Sequence, residues 1–158
     1  MVGDVMARAV RKRTTILIAD DDPAMLQVTS MILHRSGYNV LTAKDGEAAL
    51  KAFEEAKHAI QLVISDVLMP GMKGLQLVRS IRNLSESTAA LLMSGTRPIA
   101  ADADVATIEK PFAVEAFVAK VQDLLAGCNF AKIEREQAAV RVSGCRELPL
   151  NRSAPEES

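Results

Sequence analysis

Between Thr14 and Gly127, short apolar runs alternate with stretches whose apolar residues recur every three or four positions. Ile16-Leu17-Ile18-Ala19 reads as a strand that stops at Asp20, Asp21 and Asp22. Asp22-Pro23 then marks a helix start, an N-cap followed by proline at the first helical position. Met25, Val28 and Ile32 supply one apolar stripe, and Gly37 closes that helix. Tyr38–Thr42 is β-prone, and Asp45 caps a second helix carrying Ala49, Leu50 and Phe53. Leu62-Val63-Ile64-Ser65 makes a third strand ending at Asp66, and Leu77, Ile81 and Leu84 stripe a third helix. Ala89–Met93 and Val105–Ile108 read as strands four and five. Val114, Phe117, Val118, Val121 and Leu125 mark a final amphipathic helix.

Strand and helix thus alternate five times, and several strands are apolar on both faces. That pattern predicts an α/β fold, a parallel sheet with helices on both sides. Residues 14–127 form the expected domain, residues 1–13 an N-terminal tail, and residues 128–158 a C-terminal tail with room for one helix over 129–142. In 143–158, two Pro and three Ser with little that is apolar read as a disordered end.

Composition changes this picture little. The 158 residues are 49% hydrophobic and 25% charged, as in an ordinary globular domain. With four Phe, one Tyr and no Trp, the core must be aliphatic. Charge is uneven: residues 1–13 hold four basic groups and one acid, whereas 14–127 hold ten basic and fourteen acidic groups. An acidic body argues against a nucleic-acid-binding face, which needs clustered Lys and Arg. No apolar run approaches the roughly 20 residues of a membrane span. The N-terminus has no signal-peptide core either. Cys128 and Cys145 suggest neither a disulfide framework nor a zinc site. The expected location is cytoplasmic, with no membrane or direct nucleic-acid partner.

Candidate chemistry lies at the strand ends, where parallel α/β sheets bind ligands. Asp20, Asp21 and Asp22 follow strand one, Asp66 strand three, Ser94 strand four and Lys110 strand five. Clustered carboxylates repel one another, and a divalent cation relieves the repulsion. All-oxygen ligands without His or Cys point to Mg²⁺. A lysine and a hydroxyl beside such an ion suit a phosphoryl group.

Four stretches carry a family resemblance: Ile16–Pro23, Asp66-Val67-Leu68-Met69-Pro70-Gly71-Met72-Lys73-Gly74, Met93-Ser94-Gly95 and Lys110-Pro111-Phe112. Together they resemble the receiver domain of two-component response regulators, over about residues 15–126. The resemblance implies a flavodoxin-like doubly wound sheet of order 2-1-3-4-5. It implies Asp66 as phosphoacceptor, charged by a sensor histidine kinase, a histidine phosphotransfer protein or acetyl phosphate. Asp21, Asp66 and the backbone carbonyl of Leu68 would bind Mg²⁺, with Asp20 reaching it through water. Lys110 and Ser94 would bind the phosphoryl oxygens, and Pro111 would follow a cis peptide bond. The chain is then expected to be a single-domain regulator that signals through contacts with a downstream protein and catalyses at most its own phosphorylation and dephosphorylation.

Two features depart from the family pattern, and a third bears on phosphoryl lifetime. Residues 95–104 are short for a strand–helix–strand crossover, so the fourth helix is expected to be shortened. Thr107 stands where relatives carry a switching aromatic or histidine, which moves the expected readout to an ordering of residues 95–107. Leu68 and Thr96 stand where relatives often carry polar groups that tune hydrolysis. An aspartyl-phosphate phosphatase would place a second Asp where Leu68 is, and a vestigial interaction module would lack the full acid, hydroxyl and lysine set. His34 and His58 lack the surroundings of a phosphorelay histidine, and Lys73 adds only positive potential beside the site.

Overall fold

The computed structural model describes residues 13–56, 59–95 and 104–127. The expectations for residues 1–12, His58, the 96–103 stretch with its shortened helix, and 128–158 lie outside those residues.

Five strands form one parallel sheet: β1 (Thr15–Ala19), β2 (Asn39–Ala43), β3 (Ile60–Asp66), β4 (Ala89–Ser94) and β5 (Ala106–Glu109), in the order β2-β1-β3-β4-β5. This is the doubly wound order that the family resemblance implied. Helices α1 (Pro23–Arg35), α2 (Gly46–Ala56) and α3 (Gly74–Leu84) follow the first three strands. A last helix occupies residues 114–127.

Alternation along β1 explains the two-sided core. Ile16 and Ile18 face a layer that contains Leu33 of α1 and Phe117, Val121 and Leu125 of the last helix. Leu17 and Ala19 face the other layer, against Ala49 and Phe53 of α2 and Leu77 and Ile81 of α3. Every strand-one residue from Ile16 to Ala19 is buried, so β1 reads as a continuous apolar run. A third cluster joins Val78 of α3 to Ala90, Leu92 and Val105.

The helix ends follow local rules. Asp22 Oδ1 accepts from the Ala24 N–H at 3.0 Å, and Pro23 opens α1. That helix ends in a Schellman motif: the Tyr38 N–H reaches the Leu33 carbonyl and the Gly37 N–H reaches the His34 carbonyl. Gly37, at φ +95°, supplies the left-handed residue this turn requires. Asp45 Oδ1 caps α2 through the Ala48 N–H at 2.7 Å.

Three helix stripes need correction. In α1 the buried positions are Thr29 and Leu33, whereas Val28 is 51% exposed. The inward face is rotated by about one residue from the one read off the sequence, because Thr29 can turn inward. Its hydroxyl donates to the Met25 carbonyl at 2.7 Å and so carries no unpaired polar atom into the core. Leu84 and Val114, at the end of α3 and the start of the last helix, are also exposed, since helix termini overhang the sheet.

Candidate functional site

After β1 the chain turns toward β2, and after β3 it turns the other way toward β4. The crevice between the carboxyl ends of β1 and β3 is therefore the topological switch point, where open α/β sheets bind ligands. Asp20 and Asp21 stand on one lip and Asp66 on the other. Their carboxylates offer one oxygen each within 4.8 Å of one another.

Lys110 reaches this crevice from the end of β5. Its Nζ lies 3.4 Å from Asp20 Oδ2 and 3.5 Å from Asp66 Oδ2. The backbone brings it there: the Lys110 N–H donates to the Ser94 carbonyl at 2.7 Å, and the Lys110–Pro111 peptide is cis. Phe112, next in sequence, stacks on Phe117 with ring centroids 4.8 Å apart, which ties the turn to the core. Ser94 is buried at the end of β4, in register with Glu109.

The acids differ in environment. Asp20 is wholly buried, Asp66 half-buried and Asp21 exposed. Burial pushes the Asp20 carboxyl above the ordinary carboxylate range. The Asp22 N–H, donating at 3.0 Å, and the charge of Lys110 pull against that shift, while the Asp66 charge adds to it. A buried acid held beside two others, with one ammonium against them among the described residues, leaves an excess of negative charge. An all-oxygen donor set with that excess fits a hard divalent cation such as Mg²⁺.

The loop after Asp66 is built close against the site. The Val67 N–H donates to the Met93 carbonyl at 3.0 Å, and the Gly74 N–H donates back to the Val67 carbonyl at 3.1 Å. A Cβ on Gly74 would overlap the Asp66 carbonyl oxygen and stand 3.0 Å from its carbon, so only glycine can begin α3 here. Leu68 projects from this loop, 62% exposed, while Met69 tucks into the core. Thr107 lies half-buried in β5, in register with Leu92.

The residues read from sequence thus divide into three groups. Asp20, Asp21, Asp66 and Lys110 meet directly, and Ser94 joins them through its backbone. Leu68 sits on the rim beside Asp66, and Thr107 lies three residues before Lys110, within β5. Sequence reasoning passed over Ser65, whose buried hydroxyl donates to the Asp66 carbonyl at 2.9 Å. Its signal was present: a hydroxyl within a strand apolar on both faces needs a hydrogen-bond partner.

This geometry matches known proteins. The family profile described as the response regulator receiver domain covers residues 16–122. TcrX, a probable transcriptional regulatory protein of Mycobacterium tuberculosis, is 30% identical over 128 residues, 76% of this chain and 53% of that protein. Among solved structures, the Vibrio cholerae chemotaxis protein CheY4 is 30% identical with a TM-score of 0.65, covering 72% of this chain and 99% of that one. A regulator from Chloroflexus aurantiacus, titled a putative response regulator, is 30% identical with a TM-score of 0.66, covering 73% and 99%. The chain spans about half or less of the length of the first curated relatives it matches. No helix among the described residues is long and apolar enough to cross a membrane. With fold, switch-point acids and profile in agreement, the chain belongs to the receiver domain family of two-component response regulators.

Proposed function

We propose that this chain is a phosphorylatable receiver in which Asp66 accepts a phosphoryl group from a histidine kinase or histidine phosphotransfer protein. The observation that carries this reading is Lys110 Nζ, held 3.4 and 3.5 Å from Asp20 and Asp66 on the rim where Asp21 also stands. Asp66 is the half-buried acid of the three, reachable by a donor and still backed by the lysine.

In the transfer, an Asp66 carboxylate oxygen forms a new P–O bond. The P–N bond of phosphohistidine, or the P–O bond of acetyl phosphate, breaks, and histidine or acetate leaves. Mg²⁺, when bound, neutralises charge on the phosphoryl oxygens. Asp21, Asp66 and the Leu68 carbonyl would hold it, with Asp20 acting through water. Lys110 pairs with phosphoryl oxygens after transfer, which frees it in part from Asp20. Ser94 donates a hydrogen bond to them, and Thr107 lies on the path by which that movement leaves the site.

The receiver unit is residues 14–127, and it acts in the cytoplasm through contacts with a downstream protein. Leu68 in place of a second catalytic Asp favours a phosphoacceptor over an enzyme acting on free substrates. Incubation with acetyl phosphate and Mg²⁺ followed by intact mass tests the reading. The wild type should gain one phosphate, and Asp66→Asn should gain none. Full labelling of that variant would move the acceptor elsewhere.

A further inference from the structure

We propose that Ser65 is a positioning residue for phosphorylation, pinning the main chain of Asp66 to the loop that follows it. This role rests on Asp66 being the phosphoacceptor. Ser65 ends the buried run of β3, in register with Ala19 of β1 and Leu92 of β4. By alternation it faces the α2–α3 layer, with Leu17, Ala19 and Val63, where an alanine would satisfy the packing. A hydroxyl buried completely among apolar side chains costs stability unless it is bonded.

Its hydrogen goes to the Asp66 carbonyl at 2.9 Å, with the Met69 sulfur as a weaker acceptor at 4.0 Å. Gly74, the first residue of α3, approaches the same carbonyl so closely that a Cβ there would overlap it. The acceptor's peptide is therefore fixed by a hydrogen bond and bordered by a helix start. The Met69 contact extends that hold to the loop carrying Leu68. Fixing the peptide fixes where the Asp66 Cα–Cβ bond points, and so where its carboxylate meets the incoming phosphorus. In-line transfer depends steeply on such placement, since a shift near 1 Å can cost about a hundredfold.

Ser65→Ala removes the donor, Ser65→Cys keeps the volume but donates weakly, and Ser65→Thr keeps the hydroxyl. Each full-length variant is labelled with acetyl phosphate at saturating Mg²⁺, well below its unfolding temperature, and the initial rate is read by intact mass. Ser65→Ala and Ser65→Cys should both label roughly tenfold slower, equivalent to about 1.4 kcal/mol. Ser65→Thr should stay within about twofold of wild type, because the hydrogen bond is kept. A merely structural role would lower thermal stability and leave the rate of the folded protein unchanged. Ser65→Ala or Ser65→Cys labelling at the wild-type rate overturns the proposal, as does Ser65→Thr labelling as slowly as Ser65→Ala. If Ser65→Ala does not fold, the Ser65→Cys and Ser65→Thr pair decides alone. Failure of the wild type to label, or label surviving Asp66→Asn, strikes the acceptor reading itself, and the role of Ser65 falls with it.

Discussion

Lys110 is held to Ser94 by its own backbone, through an N–H···O=C bond of 2.7 Å, while its ammonium lies 3.5 Å from Asp66. One residue therefore joins the charge at Asp66 to the end of the neighbouring strand. The ammonium and the junction of β4 and β5 thus belong to one residue.

Lys110 is also a cation beside an acidic cluster that fits a divalent cation. Two unit charges 4 Å apart interact by about 4 kcal/mol at an effective dielectric near 20. Lys110→Ala should accordingly tighten Mg²⁺ binding by roughly tenfold, about 1.4 kcal/mol. Calorimetric titration of the two proteins at low salt checks this. Equal or weaker binding by the variant would mean that the lysine does not oppose the metal.

Asp20 makes a prediction with a definite pH sign. Its carboxyl is raised from 3.8 by burial, so the folded state binds a proton more tightly than the unfolded one. The associated stability is fully present below pH 3.8 and is lost as pH rises through the raised folded value. Once ionised, the buried Asp20 is thus a burden on the metal-free protein. Asp20→Asn should stabilise that form by roughly 1 kcal/mol at pH 7. The gain over wild type should shrink on acidification toward 3.8. With excess Mg²⁺ the order should reverse, because the variant lacks one charge of the acidic set. Urea denaturation in chelator and in Mg²⁺ across this pH range reads both effects.

Gly74→Ala should destabilise the fold by about 3 kcal/mol, since the added methyl must displace the Asp66 carbonyl or the first turn of α3. The surviving folded protein should also label more slowly, because it is the acceptor's own peptide that moves. A variant with wild-type stability and rate would show that this close approach has room to relax.

Much of this was legible in the sequence because strand ends are marked by chemistry. Asp20 and Asp66 each interrupt an apolar run and Lys110 closely follows one, and a parallel sheet must gather such strand ends on one rim. Asp22 and Asp45 could be read as caps because capping depends on a few neighbouring residues. What was misread depended on the third dimension. The α1 stripe was placed on Val28 because a threonine looks polar until its hydroxyl is seen bonded to the Met25 carbonyl. Gly74 stood out in the motif, but its purpose, contact with the Asp66 carbonyl, follows only from how α3 meets β3. Ser65 carries a sequence signal, a hydroxyl inside a strand apolar on both faces, but that its partner is the Asp66 carbonyl shows only in the folded loop.

The exposed Leu68 should lengthen the life of the phosphoryl group. Hydrolysis needs a water held in line with phosphorus, and a leucine 62% exposed beside Asp66 offers nothing to hold one. Thr96, the other position expected to tune this step, lies outside the described residues. After removal of donor and with Mg²⁺ kept, the mass of the phosphorylated protein should decay over minutes or longer. Leu68→Gln should shorten that life. Decay within seconds in the wild type, or no acceleration in the variant, would remove Leu68 from the argument.

Thr107 bears on how the signal leaves the site. It is in register with Leu92, and Ser94, two residues beyond Leu92, faces the same side of the sheet. A threonine has no ring to swing inward if Ser94 turns toward a phosphoryl group, so the readout is expected to travel through the β5 backbone. The route is short: Ser94 carbonyl to Lys110 amide, then back along β5 to Asp104, whose carbonyl accepts from Arg82 of α3 at 2.8 Å. Amide exchange at residues 104–109 should therefore slow when beryllium fluoride and Mg²⁺ are added as a phosphoryl mimic. The change should persist in Thr107→Ala, because the side chain is not the moving part. Its loss in that variant would give Thr107 the role a ring plays in relatives. Protection changes confined to other elements would place the output on a different face, with Asp66 as acceptor unaffected.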